Sequence, residues 1–206
     1  MRSMVEREAP APMCNNYALL VTVTDLNDVF QDHIKQWIGL TEAPNLQPND
    51  DIRPTDLAPL ITNTPEGATL TRLKWGLLPS QPKRPPIINF RSEGRAFERG
   101  RCLVPASSFF EFTGTKYPKT RWRFSRTDGA WFCFAGMIGG SGEDARFTLL
   151  TTEPGPDIAP IHDRQPVVVE RGGWDDWLSG KPAGETLKPS PAGTWTHAQA
   201  PRVKAK

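Results

Sequence analysis

The sequence predicts an α+β fold, a single compact domain with a curved antiparallel sheet or open barrel at its core and a few short helices. Three observations lead there. Short apolar runs recur along most of the 206 residues, each bounded by a turn signal. Proline (21 residues) and glycine (17) are too frequent for a helical bundle. Only one long segment, Thr24 to Leu40, carries apolar residues at helical spacing. The length suits one domain with short appendages. These are a disordered or untranslated leader over 1–12, the domain over 13–180 and a proline-rich tail over 181–206.

In order, Tyr17 to Val23 alternates as a strand. A helix follows over Thr24 to Leu40, capped by Asp25 or Asn27, with Phe30, Ile34, Trp37 and Ile38 on one face. Leu60-Ile61 and Thr69 to Trp75 read as a strand pair around the turn Thr64-Pro65-Glu66-Gly67. Ser92 or its neighbour caps a short helix ending at Gly100. Strands are expected at Arg101 to Val104, broken by Pro105, and at Phe109 to Phe112. Others fall at Arg121 to Ser125, Ala130 to Met137, Arg146 to Thr151 and Val167 to Glu170. Pro154 to Pro166 is irregular, Trp174 to Leu178 a short helix, and Thr194 to Thr196 a weak strand.

Several classes are excluded. No apolar run approaches the roughly 18–20 residues of a membrane helix, and residues 1–12 lack the apolar core of a signal peptide. A cytoplasmic protein is expected, without a membrane partner. Three cysteines, an odd and low count, argue against a disulfide framework. No Cys/His spacing suits zinc and no glycine-rich phosphate loop occurs, so no cofactor or metal is expected. The net charge of +2 is unevenly spread. Between Arg72 and Arg101 eight basic residues face only Glu93 and Glu98, leaving the rest of the chain at −4. That stretch, with Arg84 and Arg91 in it, is either a phosphate-binding footprint or a solvated face.

Three positions carry the chemistry. Met13-Cys14 precedes the first strand. If translation starts at Met13 and that methionine is removed, Cys14 presents an α-amine and a thiol on one residue. With a pKa of about 7.7–8.0, roughly a tenth of such amines are unprotonated at neutral pH. A 1,2-aminothiol condenses with an aldehyde and closes a thiazolidine, a ring closure favoured by its high effective molarity. The alternative is a small buried hydrophobe. Glu111 lies within Phe109-Phe110-Glu111-Phe112. Apolar surroundings raise a carboxyl pKa and make a proton carrier, unless the residue sits at a strand edge facing water. His162 lies in the proline-bounded loop Pro160 to Pro166, either as a proton shuttle or as a structural histidine. Asn89 and Arg91, two apart, share a strand face beside the basic stretch, where arginine's fork suits phosphate. Phe90 and Trp75 supply base-stacking surface.

A set of motifs occurs in order: Met13-Cys14, Trp75-Gly76 with Pro79, Asn89-Phe90-Arg91 with Glu93, and Cys102-Leu103-Val104-Pro105. Phe109-Phe110-Glu111-Phe112, Phe134-Ala135-Gly136 and His162-Asp163-Arg164-Gln165-Pro166 complete it. Together they resemble the SRAP (SOS response-associated peptidase) family over about Met13 to Leu178. The resemblance implies a DNA-damage protein that binds single-stranded or junction DNA and crosslinks covalently to abasic sites through its amino-terminal cysteine, here Cys14. It carries the family's asparagine, glutamate and histidine onto Asn89, Glu111 and His162, its phosphate-contacting arginine onto Arg91, and a threonine near the cysteine, expected among the DNA contacts, onto Thr151. No metal is implied, and a monomer is expected. This sequence departs from the family pattern in three places. Asn15-Asn16 stands where Gly-Arg is common, a tryptophan usual near Gln81 is missing, and Ile52-Arg53-Pro54-Thr55 replaces Asn-x-Ala-Pro, making Arg53 a candidate phosphate ligand. The same residues also suit a thiol (auto)peptidase. A nucleic-acid-binding module without chemistry leaves Glu111 and His162 unexplained.

Overall fold

The structure, a computed structural model, describes residues 15–40, 46–184 and 186–201. Its elements run β1 (Asn16–Leu19), α1 (Val23–His33), β2 (Trp37–Leu40), β3 (Asn49–Ile52), β4 (Leu57–Thr64), β5 (Gly67–Trp75), β6 (Asn89–Arg91) and β7 (Arg101–Ala106). They continue with β8 (Ser108–Thr113), β9 (Thr120–Arg126), β10 (Phe132–Gly139), β11 (Arg146–Thr152), β12 (Gln165–Pro166), β13 (Val168–Val169), α2 (Trp174–Leu178) and β14 (Trp195–Gln199). Two sheets result. One has the order β14-β9-β8-β1-β3 and the other β12-β11-β10-β7-β4-β5-β2, with β6 added on β11 and β13 on β10. A short parallel pairing of β11 with β5, Arg146 to Lys74 and Phe147 to Trp75, bends the second sheet into a ring. Two residue pairs make that seam, so the sheet is ring-like and not a closed barrel, in agreement with the α+β expectation. No helix among the described residues is long and apolar enough to cross a membrane.

Aromatic side chains tie the two sheets together. Tyr17 of β1 meets Trp75 of β5 and Phe134 of β10 edge-on, at ring-centroid distances of 5.3 and 5.8 Å. Phe109 of β8 stacks on Phe124 of β9 at 5.0 Å. Such pairs add about 0.5–1.5 kcal/mol each beyond the area they bury. Strand β14, from the segment set apart by its prolines, extends the first sheet and buries Trp195 against Phe109 and Phe132.

The helix expected over Thr24 to Leu40 is split. Thr22, not Asp25, is its cap. The Thr22 hydroxyl accepts from the Asp25 amide (3.1 Å), and the Asp25 carboxylate accepts from the Thr22 amide (3.2 Å). The helix stops at His33 and residues 37–40 form β2, parallel to β5. The Gln36 carbonyl accepts from the Ala68 amide at 2.7 Å. A Cβ on Gly67 would meet that same carbonyl oxygen at 2.4 Å, so the approach needs glycine. Trp37 and Ile38 therefore read as helix by spacing but are claimed by the sheet, a long-range pairing that local periodicity does not register.

The helix expected between Ser92 and Gly100 does not form. The Ser92 amide donates to the Thr151 carbonyl, and the segment proceeds in turns with Phe97 drawn into the core. Strand β7 also runs through Pro105, opposite Cys133 of β10. β4 pairs with β7 only at Leu103 and Cys102, so at Pro105 the side facing β4 is a local edge where a missing amide costs little.

Candidate functional site

β8 lies between β1 and β9 and carries Glu111 opposite Trp122. Glu111 shares the inward face with Phe109 and is only 1% exposed. The apolar frame expected from three flanking phenylalanines is present. His162 reaches the same place from the loop after β11. That loop is folded into a helical turn, with the His162 amide bonded to the Ile158 carbonyl at 2.9 Å and Ile158 buried. It is closed at its base by the Gly155 amide donating to Gln165 Oε1 at 2.6 Å. A Cβ on Gly155 would meet the Ser190 carbonyl oxygen at 2.2 Å, so the closure requires glycine.

His162 Nε2 lies 3.7 Å from Glu111 Oε2, with the imidazole side chain 8% exposed. That exceeds a hydrogen bond. Nδ1 accepts the Arg164 backbone amide at 3.2 Å. The neutral ring therefore carries its proton on Nε2, toward Glu111. Burial pushes the His162 pKa below its ordinary value, against an opposing pull from the Asp163 carboxylate 3.2 Å from Nδ1.

A second strand is tied to the histidine loop. β6 lies parallel to β11 with Asn89, Phe90 and Arg91 opposite Leu149, Leu150 and Thr151. Arg164 binds them to the histidine loop. Its guanidinium holds Glu93 through both terminal nitrogens and donates to the Thr151 carbonyl (3.0 Å) and hydroxyl (3.2 Å). This contact holds the Glu93 carboxyl below the usual carboxylate range. Sequence reasoning named Arg164 and Glu93 only as motif letters. Opposite charges within two motifs already assigned to one site were the signal available. Arg91 is exposed, Asn89 half-buried, and Phe90 half-buried with the Arg95 guanidinium 4.5 Å above its ring.

Two expected DNA contacts are corrected. Trp75 is 0% exposed, its indole donates to the Ile88 carbonyl at 2.9 Å, and it stacks on Phe147. It belongs to the core and offers no face to a base. Thr151 is fully buried and serves to join β6, β11 and Arg164. Arg84 is exposed on the loop after β5.

Arg53 stands at a different edge. Asp51 of β3 gathers Arg53 Nε (2.5 Å), Arg121 Nη2 (3.0 Å) and Asn16 Nδ2 (2.8 Å). Arg121 is nearly buried, 6% exposed in its side chain, with its guanidinium 3.5 Å over the Phe110 ring. Burial lowers its pKa and Asp51 opposes that. Asp51→Ala leaves a buried guanidinium without its carboxylate and is expected to cost about 3–5 kcal/mol, measured as a lowered urea midpoint. A loss below about 1 kcal/mol would show that Arg121 is held by its other contacts. The cluster fixes the start of β1. Asn16 pairs with Phe110, and continuing that register by one residue brings Asn15 level with Glu111. Cys14 lies outside the described residues.

Residues 13–203 match the model of the family described as SOS response associated peptidase (SRAP). The abasic site processing protein YoaM of Bacillus subtilis is 31% identical over 190 residues, 82% of this chain and 80% of that protein. An abasic site processing protein of Saccharomyces cerevisiae is 30% identical over 146 residues, 62% of this chain and 39% of its own length. The abasic site processing protein YedK of Escherichia coli is 27% identical over 190 residues, 84% of each. Among solved structures, a phage-related protein of Bordetella bronchiseptica superposes with a TM-score of 0.70 at 19% identity, over 92% of this chain and 95% of that one, a likeness of fold. The match across residues 13–203, with a 31%-identical relative spanning 82% of the chain, establishes that this chain belongs to the SRAP family.

Proposed function

We propose that this protein processes abasic sites in DNA, and that it does so by forming a thiazolidine between Cys14 and the ring-opened deoxyribose in single-stranded DNA. The relatives' names support the first part. The observation that carries the second is the buried Glu111–His162 pair, 3.7 Å apart, on β8 just past the start of β1. Asn15 is level with Glu111, and one peptide unit, about 3.8 Å, separates its Cα from that of Cys14.

The chemistry balances with residues of this chain. Glu111 takes the proton of the sugar's anomeric hydroxyl and returns it to the ring oxygen, opening the ring to the aldehyde. The Cys14 amine adds to that aldehyde, water leaves, and an imine remains. The thiol adds to the imine carbon and the nitrogen takes up a proton, closing the five-membered ring. His162, neutral with its proton on Nε2, assists these transfers and the reverse reaction. Asn89 orients the Cys14 amine or the sugar. Arg91, Arg84 and Arg53 bind phosphates, and Phe90 supplies apolar surface beside them.

The test is a denaturing gel with single-stranded DNA containing one abasic site. Protein that begins at Cys14 is expected to give a heat-stable shifted band, and the full 206-residue chain none, because its cysteine amine is in a peptide bond. No band with either, despite DNA binding, would defeat the crosslinking reading and favour a thiol peptidase, since the same cysteine, histidine and carboxylate suit acyl transfer.

A further inference from the structure

The hairpin between β8 and β9 ends in a tip, Gly114 to Lys119, beyond the last paired residues Thr113 and Thr120. Tyr117 stands on it 85% exposed, the most exposed of the large hydrophobic side chains among the described residues. A single exposed aromatic is ordinary on a protein surface. Three features of its setting make this one different.

The first is position. β1 pairs with β8 only from Phe110 back to Ser108. Glu111, Phe112 and Thr113 therefore run on past the start of β1, roughly 10 Å of strand at about 3.3 Å per residue. The tip lies beyond them, at the same end of the sheet where the chain enters β1. The second is charge. Lys116 and Lys119 flank the tyrosine within the tip, and Arg53 sits at the neighbouring edge, its side chain 41% exposed and its Nε paired with the Asp51 carboxylate that Arg121 shares. The third is rigidity. The base of the hairpin is tied by the Trp122 indole donating to Thr113 Oγ1 at 2.8 Å. Arg121 ties it again through Asp51, the Pro201 carbonyl and the Phe110 ring. The aromatic ring is thus presented from an anchored hairpin, at low ordering cost on binding.

We propose that this tip is a second nucleic-acid contact, in which Tyr117 stacks on a base a few nucleotides from the abasic site while the exposed Lys116 takes an adjoining phosphate. The inference rests on the abasic-site reading above and adds a wall to the DNA path. The basic stretch around Arg91 is one concentration of positive charge, and the tip adds another. Stacking of a base on an aromatic side chain is tolerant of sequence, so the contact extends the footprint without selecting bases.

The experiment measures equilibrium binding, without crosslinking, to single-stranded oligonucleotides that carry a stable tetrahydrofuran abasic analogue. The oligonucleotides extend one to six nucleotides on either side of the analogue. The proteins all begin at Cys14 and are unsubstituted, Tyr117→Ala, Tyr117→Phe and Lys116→Ala. On the long oligonucleotides Tyr117→Ala is expected to bind about 5- to 150-fold more weakly. Tyr117→Phe should bind like the unsubstituted protein, and Lys116→Ala should lower the slope of affinity against salt concentration. On the shortest oligonucleotide all four should bind equally, because the strand ends before the tip. Equal affinity of Tyr117→Ala and unsubstituted protein at every length overturns the inference while leaving the abasic-site reading intact. Failure of the unsubstituted protein to bind any of these strands overturns both.

Discussion

Cys14→Ser, made in protein that begins at residue 14, is expected to abolish the heat-stable adduct with abasic DNA while leaving an adduct trappable by borohydride. The substitution keeps the α-amine, whose pKa of about 7.7–8.0 leaves roughly a tenth of it nucleophilic at neutral pH. Imine formation therefore proceeds. What is lost is the second bond. A thiol with a pKa near 8.5 supplies thiolate at working pH, whereas a serine hydroxyl is a weak nucleophile unless a base activates it. The imine stays in equilibrium with aldehyde and water, and heating in denaturant hydrolyses it. Two gels, one with and one without borohydride, separate the roles of amine and thiol. A heat-stable band of unsubstituted intensity from the serine protein, without reductant, would show that the link does not pass through sulfur.

The residues of the candidate site were legible where a single residue broke a local pattern. Glu111 stands out because a carboxylate among phenylalanines on a strand is costly to bury, and the fold buries it beside Phe109. His162 stands out because prolines fix its loop. The fold brings the two within 3.7 Å, a contact across the chain that neither motif reveals alone. The sequence was silent about Arg164 as a clamp, since its partners Glu93 and Thr151 are remote along the chain and join only through the pairing of β6 with β11. Trp75 misled because a tryptophan near basic residues suits DNA equally well on paper. The side of the strand it occupies is settled by Phe147 and Tyr17, which pack against it.

The fold shows the same division. Strands with their own alternation and turn signals, β4 with β5 and β8 with β9, fall where expected. The errors lie where backbone groups are claimed from afar. Residues 37–40 have helical spacing, but parallel pairing with β5 supplies hydrogen bonds and burial that a further turn of helix would not. Residues 92–100 start with a good capping residue, but the Ser92 amide bonded to the Thr151 carbonyl carries the β6–β11 pairing one residue further and holds Ser92 to the sheet. Intrinsic preference is a weak prior of a few tenths of a kcal/mol per residue, and one buried sheet contact outweighs it.

Glu111→Gln is expected to slow single-turnover crosslinking by about 10²- to 10⁴-fold, the range for removal of a general acid–base group, while leaving DNA affinity within about twofold. Glutamine has nearly the volume of glutamate and keeps a carbonyl oxygen facing His162 Nε2, so the packing around Phe109 persists. It cannot take the anomeric proton and return it to the ring oxygen, and ring opening then depends on water. The site excludes water, with Glu111 1% exposed and the His162 side chain 8% exposed, so no solvent base substitutes easily. The same dryness sharpens the diagnosis. If Glu111 acts in ring opening, a substrate already held as an open-chain aldehyde should recover most of the lost rate in the Glu111→Gln protein. If it acts mainly in imine dehydration or thiol addition, the open-chain substrate should be as slow as the cyclic one. A loss under about threefold on the cyclic substrate would remove Glu111 from the mechanism and leave the neutral, Nε2-protonated His162 as the group that moves the proton.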